Sequence, residues 1–348
     1  MSGSVMKALI YEGPELMNMR ELPIPSPRPG EVLIRVERVG ICGSELSGYL
    51  GHNSLRKPPL IMGHEFAGMV AKTGSDVAKL KSGDRVTVNP LITCGECRYC
   101  TTGSAQLCAE RSLVGAHRPG AFAEYVAVPE KNVYLLEDHV SFDEGALAEP
   151  FAVAVHLCRL LQLDPTDRLL ILGAGPIGLF TLQAAQVYGL KNIVVVDLNE
   201  ERLEIVEELG GVSKTSLRDY EVGSFDAAVD AVGVEITRLQ CLEYVRPGGS
   251  VVFSGLHQNE TNLPVNDAIR NEIKMFGAFS NSPLDFETAL QWISEGRVNL
   301  LPWTIHAPLE EGSVCFEKLI SGPGKVAKIM LTLQKQVEGS MNLLTQKA

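Results

Sequence analysis

No apolar run in this chain of 348 residues approaches the roughly 20 residues that a bilayer-spanning helix needs, so a helical membrane protein is not expected. Basic residues are in deficit, with 31 Lys and Arg against 42 Asp and Glu. The resulting net charge of −11 leaves no basic face for a nucleic acid, and no nucleic-acid partner is expected. The opening residues, MSGSVMKALIYEGPEL, lack the basic region followed by an apolar stretch that marks a secretory signal, so the expected location is the cytoplasm. There disulfides are disfavoured, and clustered cysteines point to metal. No internal repeat or low-complexity segment is visible.

What is present is a globular composition, 45% hydrophobic and 21% charged, at a length that favours two cores over one. Up to about residue 155 the chain has short β-branched runs such as EVLIRVERVG and DRVTVNP, punctuated by Gly and Pro, which predict a strand-dominated domain. From about Asp167 the rhythm becomes apolar strand, glycine turn, helix, apolar strand and acidic helix. Strands without polar alternation are buried on both faces, so residues 156–290 read as a doubly wound α/β unit with a parallel sheet. Residues 291–334 add the closing strand GKVAKIMLTL, and 335–348 form a polar tail.

GAGPIG sets Gly173, Gly175 and Gly178 in G-x-G-x-x-G register, directly after the strand LLIL and at the start of a helix. The first glycine permits the turn, the second lets a pyrophosphate approach the backbone, and the third allows close helix-to-strand packing. The phosphates then sit on the positive end of the helix. Asp197 ends the next strand, IVVVD, where an acid meets the adenosine ribose hydroxyls and repels a 2′-phosphate, favouring NAD over NADP. Arg202, one turn further on, could lie over the adenine or pair with Glu201 or Glu204.

Half of the eight cysteines lie in CGECRYCTTGSAQLC, with Cys94, Cys97, Cys100 and Cys108 spaced x2, x2, x7. Four thiolates from one loop suit tetrahedral zinc, and the spacing differs from the iron–sulfur run. With four protein ligands the ion has no vacancy, so this zinc is structural. A second set is scattered: Cys42 in GICGSE, His64 and Glu65 in MGHEFAG, and Glu149 in GALAEPFAVAVH. Each alone has an ordinary alternative, as a small buried hydrophobe, a core histidine or a helix cap.

Taken in order, CGS, GHEFAGMVAKTGSDV, AEP and GAGPIG closely resemble the zinc-dependent medium-chain alcohol and polyol dehydrogenases, over nearly the whole chain. The resemblance implies a GroES-like β domain at 1–155, a Rossmann NAD-binding domain at 156–290 and a return to the catalytic domain at 291–334. It places Cys42, His64 and Glu149 on the ligands of a catalytic zinc, with Glu65 able to bind the ion directly or through water. One thiolate, one carboxylate and a neutral imidazole then cancel the ion's charge and leave one position open. Ser44 falls where a hydroxyl passes the alcohol proton toward solvent, although it could simply bond its own turn. Ile177 and Arg202 align with pyrophosphate and adenosine contacts, and Ser254, Gly255, Leu256, Phe279 and Ser280 with nicotinamide and ribose contacts.

The chain departs from that family at the relay, with Glu45 for the usual Asp and Ser47 for the usual His, which leaves Ser47 with a water or His52 as candidates for the exit path. The carboxylate Glu149 in place of a third cysteine resembles the sorbitol, galactitol-1-phosphate and threonine dehydrogenase branch. Gly48, standing where sorbitol dehydrogenase has an aromatic contact, speaks against sorbitol itself. Arg118 could grip a phosphate or be a solvated loop residue. The expected activity is hydride transfer from a secondary alcohol of a polyol, sugar alcohol or sugar derivative to NAD, with two zinc ions per chain and assembly as a homodimer or homotetramer. Threonine or a short diol is the alternative substrate, and a non-enzymatic scaffold the alternative class.

Overall fold

The computed structural model describes residues 4–322 and 324–333, so the tail expected at 335–348 lies outside the described residues. One sheet is built around the strand Glu31–Gly40, whose run EVLIRVERVG is buried along nearly its whole length. Glu65–Thr73 pairs along one side of it in antiparallel register. Tyr125–Pro129 pairs with its first half and Lys328–Thr332 with its Arg38–Gly40 end. The strand GKVAKIMLTL predicted near the C-terminus therefore closes the sheet that the N-terminal half began. A smaller sheet joins Val5–Gly13 to Leu16–Pro23 and Leu60–Ile61.

The second sheet has six parallel strands in the order Val212–Lys214, Asn192–Val196, Arg168–Leu172, Phe225–Asp230, Val245–Phe253, Lys274–Gly277. In sequence order this is 3-2-1-4-5-6, the doubly wound arrangement, which reverses direction beside Arg168–Leu172 and opens a crevice at the carboxyl ends there. The fold class read from the sequence, a GroES-like β domain and a parallel-sheet Rossmann domain, is the one observed. No helix among the described residues is long and apolar enough to cross a membrane.

The two cores meet on the helix Phe142–Leu161. Ser141 caps it by accepting from Glu144 N, and Gln162 ends it in the left-handed region at φ 52°. Ala146, Leu147, Phe151, Val155 and Cys158 are all buried in a cluster that reaches from Ala67 of the first sheet to Ile171 and Val229 of the second. The boundary read after residue 155 thus falls inside one continuous helix, because that helix is buried against both sheets.

Asp285, fully buried at the start of Pro283–Ser294, fixes this helix to its neighbour. It accepts from His156 Nδ1 at 2.8 Å, Arg159 Nε at 2.6 Å, Ser282 Oγ at 2.6 Å and Ser282 N at 2.9 Å. Burial pushes its carboxyl up, but the hydrogen bonds from His156 and Ser282 outweigh that and hold it below the usual range. The stabilisation is present above the unfolded-state pKa of about 3.9 and is lost as pH falls through the lower folded value. Asp285→Asn is expected to lower the unfolding free energy by about 2–3 kcal/mol at neutral pH. Urea denaturation should show that gap narrowing in acid, and an unchanged midpoint would deny the latch its role.

Candidate active site

The cysteine loop forms the first metal-type cluster, with all four sulfurs within 4.8 Å of one another. Cys97 caps the short helix Arg98–Thr101, which brings Cys100 back to 3.5 Å from Cys97 and 3.8 Å from Cys94. Cys108 closes the group at 3.6 Å from Cys94. Backbone N–H groups of Glu96 and Cys97 lower the Cys94 thiol to about 7, the thiolate character that a zinc ligand requires. The donor chemistry and the mutual spacing fit a closed tetrahedral zinc site.

The second cluster gathers Cys42, His64 and Glu65, again within 4.8 Å. Cys42 ends the run after Glu31–Gly40 and caps the helix Gly43–Tyr49, while His64 and Glu65 open the neighbouring strand. Glu45, fully buried, ties these pieces together. Its Oε2 accepts from Cys42 N at 3.0 Å, and its Oε1 accepts from Gly63 N at 2.8 Å and His64 Nδ1 at 2.7 Å. With Nδ1 engaged, Nε2 is the ring nitrogen left for a metal. Burial disfavours charge on His64, but Glu45 and Cys42 outweigh it and raise its proton affinity well above the usual. A cation entering the site has that proton to displace.

Glu65 is held from the other end of the chain. Lys328 Nζ, itself buried, donates to Oε1 at 2.9 Å, Oε2 at 2.6 Å and the Ile41 carbonyl at 3.1 Å. Glu149 stands outside the three-donor group. Its Oε1 accepts from Asn281 Nδ2 at 3.5 Å, and Asn281 in turn accepts from Asn89 Nδ2 at 3.2 Å. Burial pushes the Glu149 carboxyl up to about 7, with His64 acting against the rise and Glu65 adding to it.

Ser44 Oγ lies 3.3 Å from Cys42 Sγ and accepts from Arg56 Nη2 at 3.0 Å. Among the described residues no direct side-chain hydrogen bond joins Ser47 or His52 to Ser44, whose own contacts are with Cys42, Asn53 and Arg56. Arg118 donates to Glu31 Oε1 at 2.7 Å and is committed to the sheet, which removes it as a phosphate grip.

At the nucleotide crevice, Gly173 adopts φ +107°, which favours glycine, and a side chain at Gly178 would collide with the Gly173 carbonyl. At Gly175 a Cβ would meet nothing closer than Arg202 Nη1 at 4.0 Å, so the approach for a pyrophosphate is open. Asp197 Oδ2 accepts from Ala174 N at 2.6 Å and its Oδ1 from Asn199 N at 2.8 Å, binding the acid to the glycine turn. Arg202 forms no ion pair with Glu201 or Glu204; its Nη2 reaches the Val326 carbonyl at 3.4 Å. Ser254 N and Gly255 N both donate to the Asp230 carbonyl at 3.0 Å, and Leu256 is 74% exposed. Phe279 lies under Arg111 at 5.0 Å, and Ser280 turns at φ +55°. Among the described residues the Ser280 hydroxyl and Arg202 Nε are buried without partners, while Ile177 at the helix start is half-buried.

Glu45, Arg56, Lys328 and Asn281 are the side chains whose places here the sequence did not disclose. Glu45 had a local signal, an acid three residues past a cap. Arg56, Lys328 and Asn281 had none, since each arrives through tertiary structure.

Two outcomes separate the clusters. Cys97→Ser is expected to lose the loop ion and lower the melting temperature, whereas Cys42→Ser loses the other ion and leaves melting nearly unchanged. Metal content per chain and calorimetry read both. Glu45→Gln should weaken zinc binding at the second cluster by about 10–100-fold in a competition titration.

Comparison with known sequences and structures agrees with this arrangement. Residues 28–138 match the alcohol dehydrogenase GroES-like domain, and 176–295 match the zinc-binding dehydrogenase family. The chain is 32% identical to L-idonate 5-dehydrogenase of Vitis vinifera, covering 92% of this chain and 93% of that protein. It is 33% identical to sorbitol dehydrogenase of Bacillus subtilis, covering 94% and 97%. An Escherichia coli CFT073 protein described as a short chain alcohol dehydrogenase, solved with NADH, superposes with a TM-score of 0.89 at 28% identity, covering 95% of this chain and 100% of that one. With both family regions matched and similarity running through nearly its full length, the chain belongs to the zinc-binding alcohol dehydrogenase family with a GroES-like domain.

Proposed function

We propose that this chain oxidises a secondary alcohol of a polyol, sugar alcohol or sugar derivative to a ketone, with NAD as hydride acceptor. The observation that carries the reading is the second cluster: three donors of a catalytic type, Cys42, His64 and Glu65, gathered beside a serine hydroxyl. A zinc ion there supplies a Lewis acid that makes an alcohol oxygen more acidic. Glu149, the ligand implied by resemblance, is a second carboxylate at the rim of the same site. The relatives' names, an idonate and a sorbitol dehydrogenase, support the polyol class.

The chain's own groups orient and deprotonate. Arg56 uses one lone pair of Ser44 Oγ and leaves the other to accept the alcohol proton as the hydroxyl releases its own to water. Glu45 fixes the His64 ring. On the cofactor side, Gly173, Gly175, Ile177 and Gly178 receive the pyrophosphate, Asp197 and Arg202 the adenosine, and Ser254, Gly255, Leu256, Phe279 and Ser280 the nicotinamide half. Asp197 and the NADH in the similar Escherichia coli structure support NAD.

The reading extends to a catalytic domain at 1–155 and 291–334, an NAD-binding domain at 156–290, and a homodimer or homotetramer. The edge strand Lys274–Gly277, with Met275 at 43% and Ile269 at 67% exposure beside it, supports a second copy there. Cysteines gathered into metal-type clusters support a reducing, cytoplasmic setting.

The test is a panel of alditols, aldonates, sugar phosphates, threonine and 2,3-butanediol, read as NADH production. Turnover of a polyol by protein with two zinc ions per chain is expected. Zinc bound only in the cysteine loop, with no member of the panel reducing NAD, would overturn the reading in favour of a scaffold. Ser44→Ala should lower kcat by about 100-fold or more while the zinc content stays constant.

A further inference from the structure

We propose that Arg56 is a specificity residue that binds a carboxylate of the substrate, so that the preferred alcohols are hydroxy acids of the aldonate kind. This rests on the proposed dehydrogenase reading and narrows its substrate class. Arg56 is 4% exposed, yet none of its nitrogens forms an ion pair with a carboxylate among the described residues. A guanidinium carries five N–H donors. Of these, Nη2 reaches Ser44 Oγ at 3.0 Å, and the buried Nε has no partner. Buried cations are ordinarily paired, so an unpaired one beside a reaction site is arranged for a ligand that arrives later.

The nearest acid acting on it is Glu45, whose charge Arg56 helps to hold. Glu45 is not that partner: its oxygens accept from Cys42 N, Gly63 N and His64 Nδ1, and among the described residues no Arg56 nitrogen comes within ion-pair distance of them. Room for the guanidinium stem is made by Gly48, where a Cβ would lie 2.5 Å from Arg56 Cδ. The position that resemblance assigns to an aromatic substrate contact is thus vacant, and an arginine fills the space. Through Ser44 its charged end lies one hydroxyl away from Cys42 Sγ, a metal-type ligand. A planar fork bearing a single positive charge matches one carboxylate bidentately. A phosphate ester, with its larger charge, calls for more cations than this one.

The reaction itself is unchanged by the acid group. The C–H bond of the secondary alcohol breaks, its hydride reduces NAD to NADH, and the hydroxyl proton passes to Ser44 Oγ as the Ser44 proton goes to solvent water.

The experiment pairs each alditol with the aldonate of the same stereochemistry: glucitol with gluconate, galactitol with galactonate, iditol with idonate, xylitol with xylonate. The zinc-loaded enzyme should favour at least one aldonate in kcat/KM. In Arg56→Gln that aldonate-to-alditol ratio should fall by about 100-fold, mostly through KM, with partial recovery in Arg56→Lys. The ratio cancels any effect transmitted through Ser44 to both substrates alike. Calorimetry of the NADH complex should show aldonate binding that Arg56→Gln abolishes, a readout independent of turnover. Equal loss for both members of a pair, or a preference for phosphorylated alditols over aldonates, would overturn the proposal. Absence of turnover on every pair would fault the dehydrogenase reading instead, and the calorimetric comparison would then decide the role of Arg56 alone.

Discussion

The candidate active site depends on one buried ion pair, Lys328 with Glu65. An ammonium taken out of water loses several kcal/mol of hydration, which only close and complete pairing offsets. Here all three of its protons have acceptors, two on Glu65 and one on the Ile41 carbonyl. The partners lie 263 positions apart, with the whole six-stranded sheet between them. The last strand is therefore part of the catalytic cluster, and Glu65 has no compensation until the chain has returned to the sheet it left.

The same cluster is a charge-balance problem with a single solution. Cys42, Glu45, Glu65 and Glu149 bring four acidic groups together, against the two permanent cations Arg56 and Lys328. With all four ionised, the deficit is that of one divalent ion. The two raised proton affinities have different origins: burial pushes Glu149 up to about 7, whereas Glu45 and Cys42 raise His64 against the burial that disfavours its charge.

Much of this was legible in the sequence because the geometry is local. Four cysteines within fifteen residues have little choice but to converge, and GAGPIG between strand and helix dictates its own turn. Other features were legible only through resemblance, as with Cys42 and His64, whose neighbourhood depends on a strand pairing that no short window encodes. Glu149 illustrates the limit. Resemblance placed it among the ligands, whereas no short window shows that Asn281, from the loop before Pro283–Ser294, donates to it at 3.5 Å. Arg56 was invisible for a related reason: nothing in GHNSLRKPP says that Gly48 opens a space for it.

The latch at Asp285 has a mechanical meaning as well. Glu149, the helix Phe142–Leu161, His156, Asp285, Ser282 and Asn281 form a closed circuit that ends back on Glu149. A closed circuit behaves as a truss, in which no bar tilts unless another breaks. The carboxylate is thus braced from two directions, along its own helix and through Asn281, and Thr87, whose hydroxyl donates to the Gly145 carbonyl at 2.6 Å, ties the same helix to the first sheet.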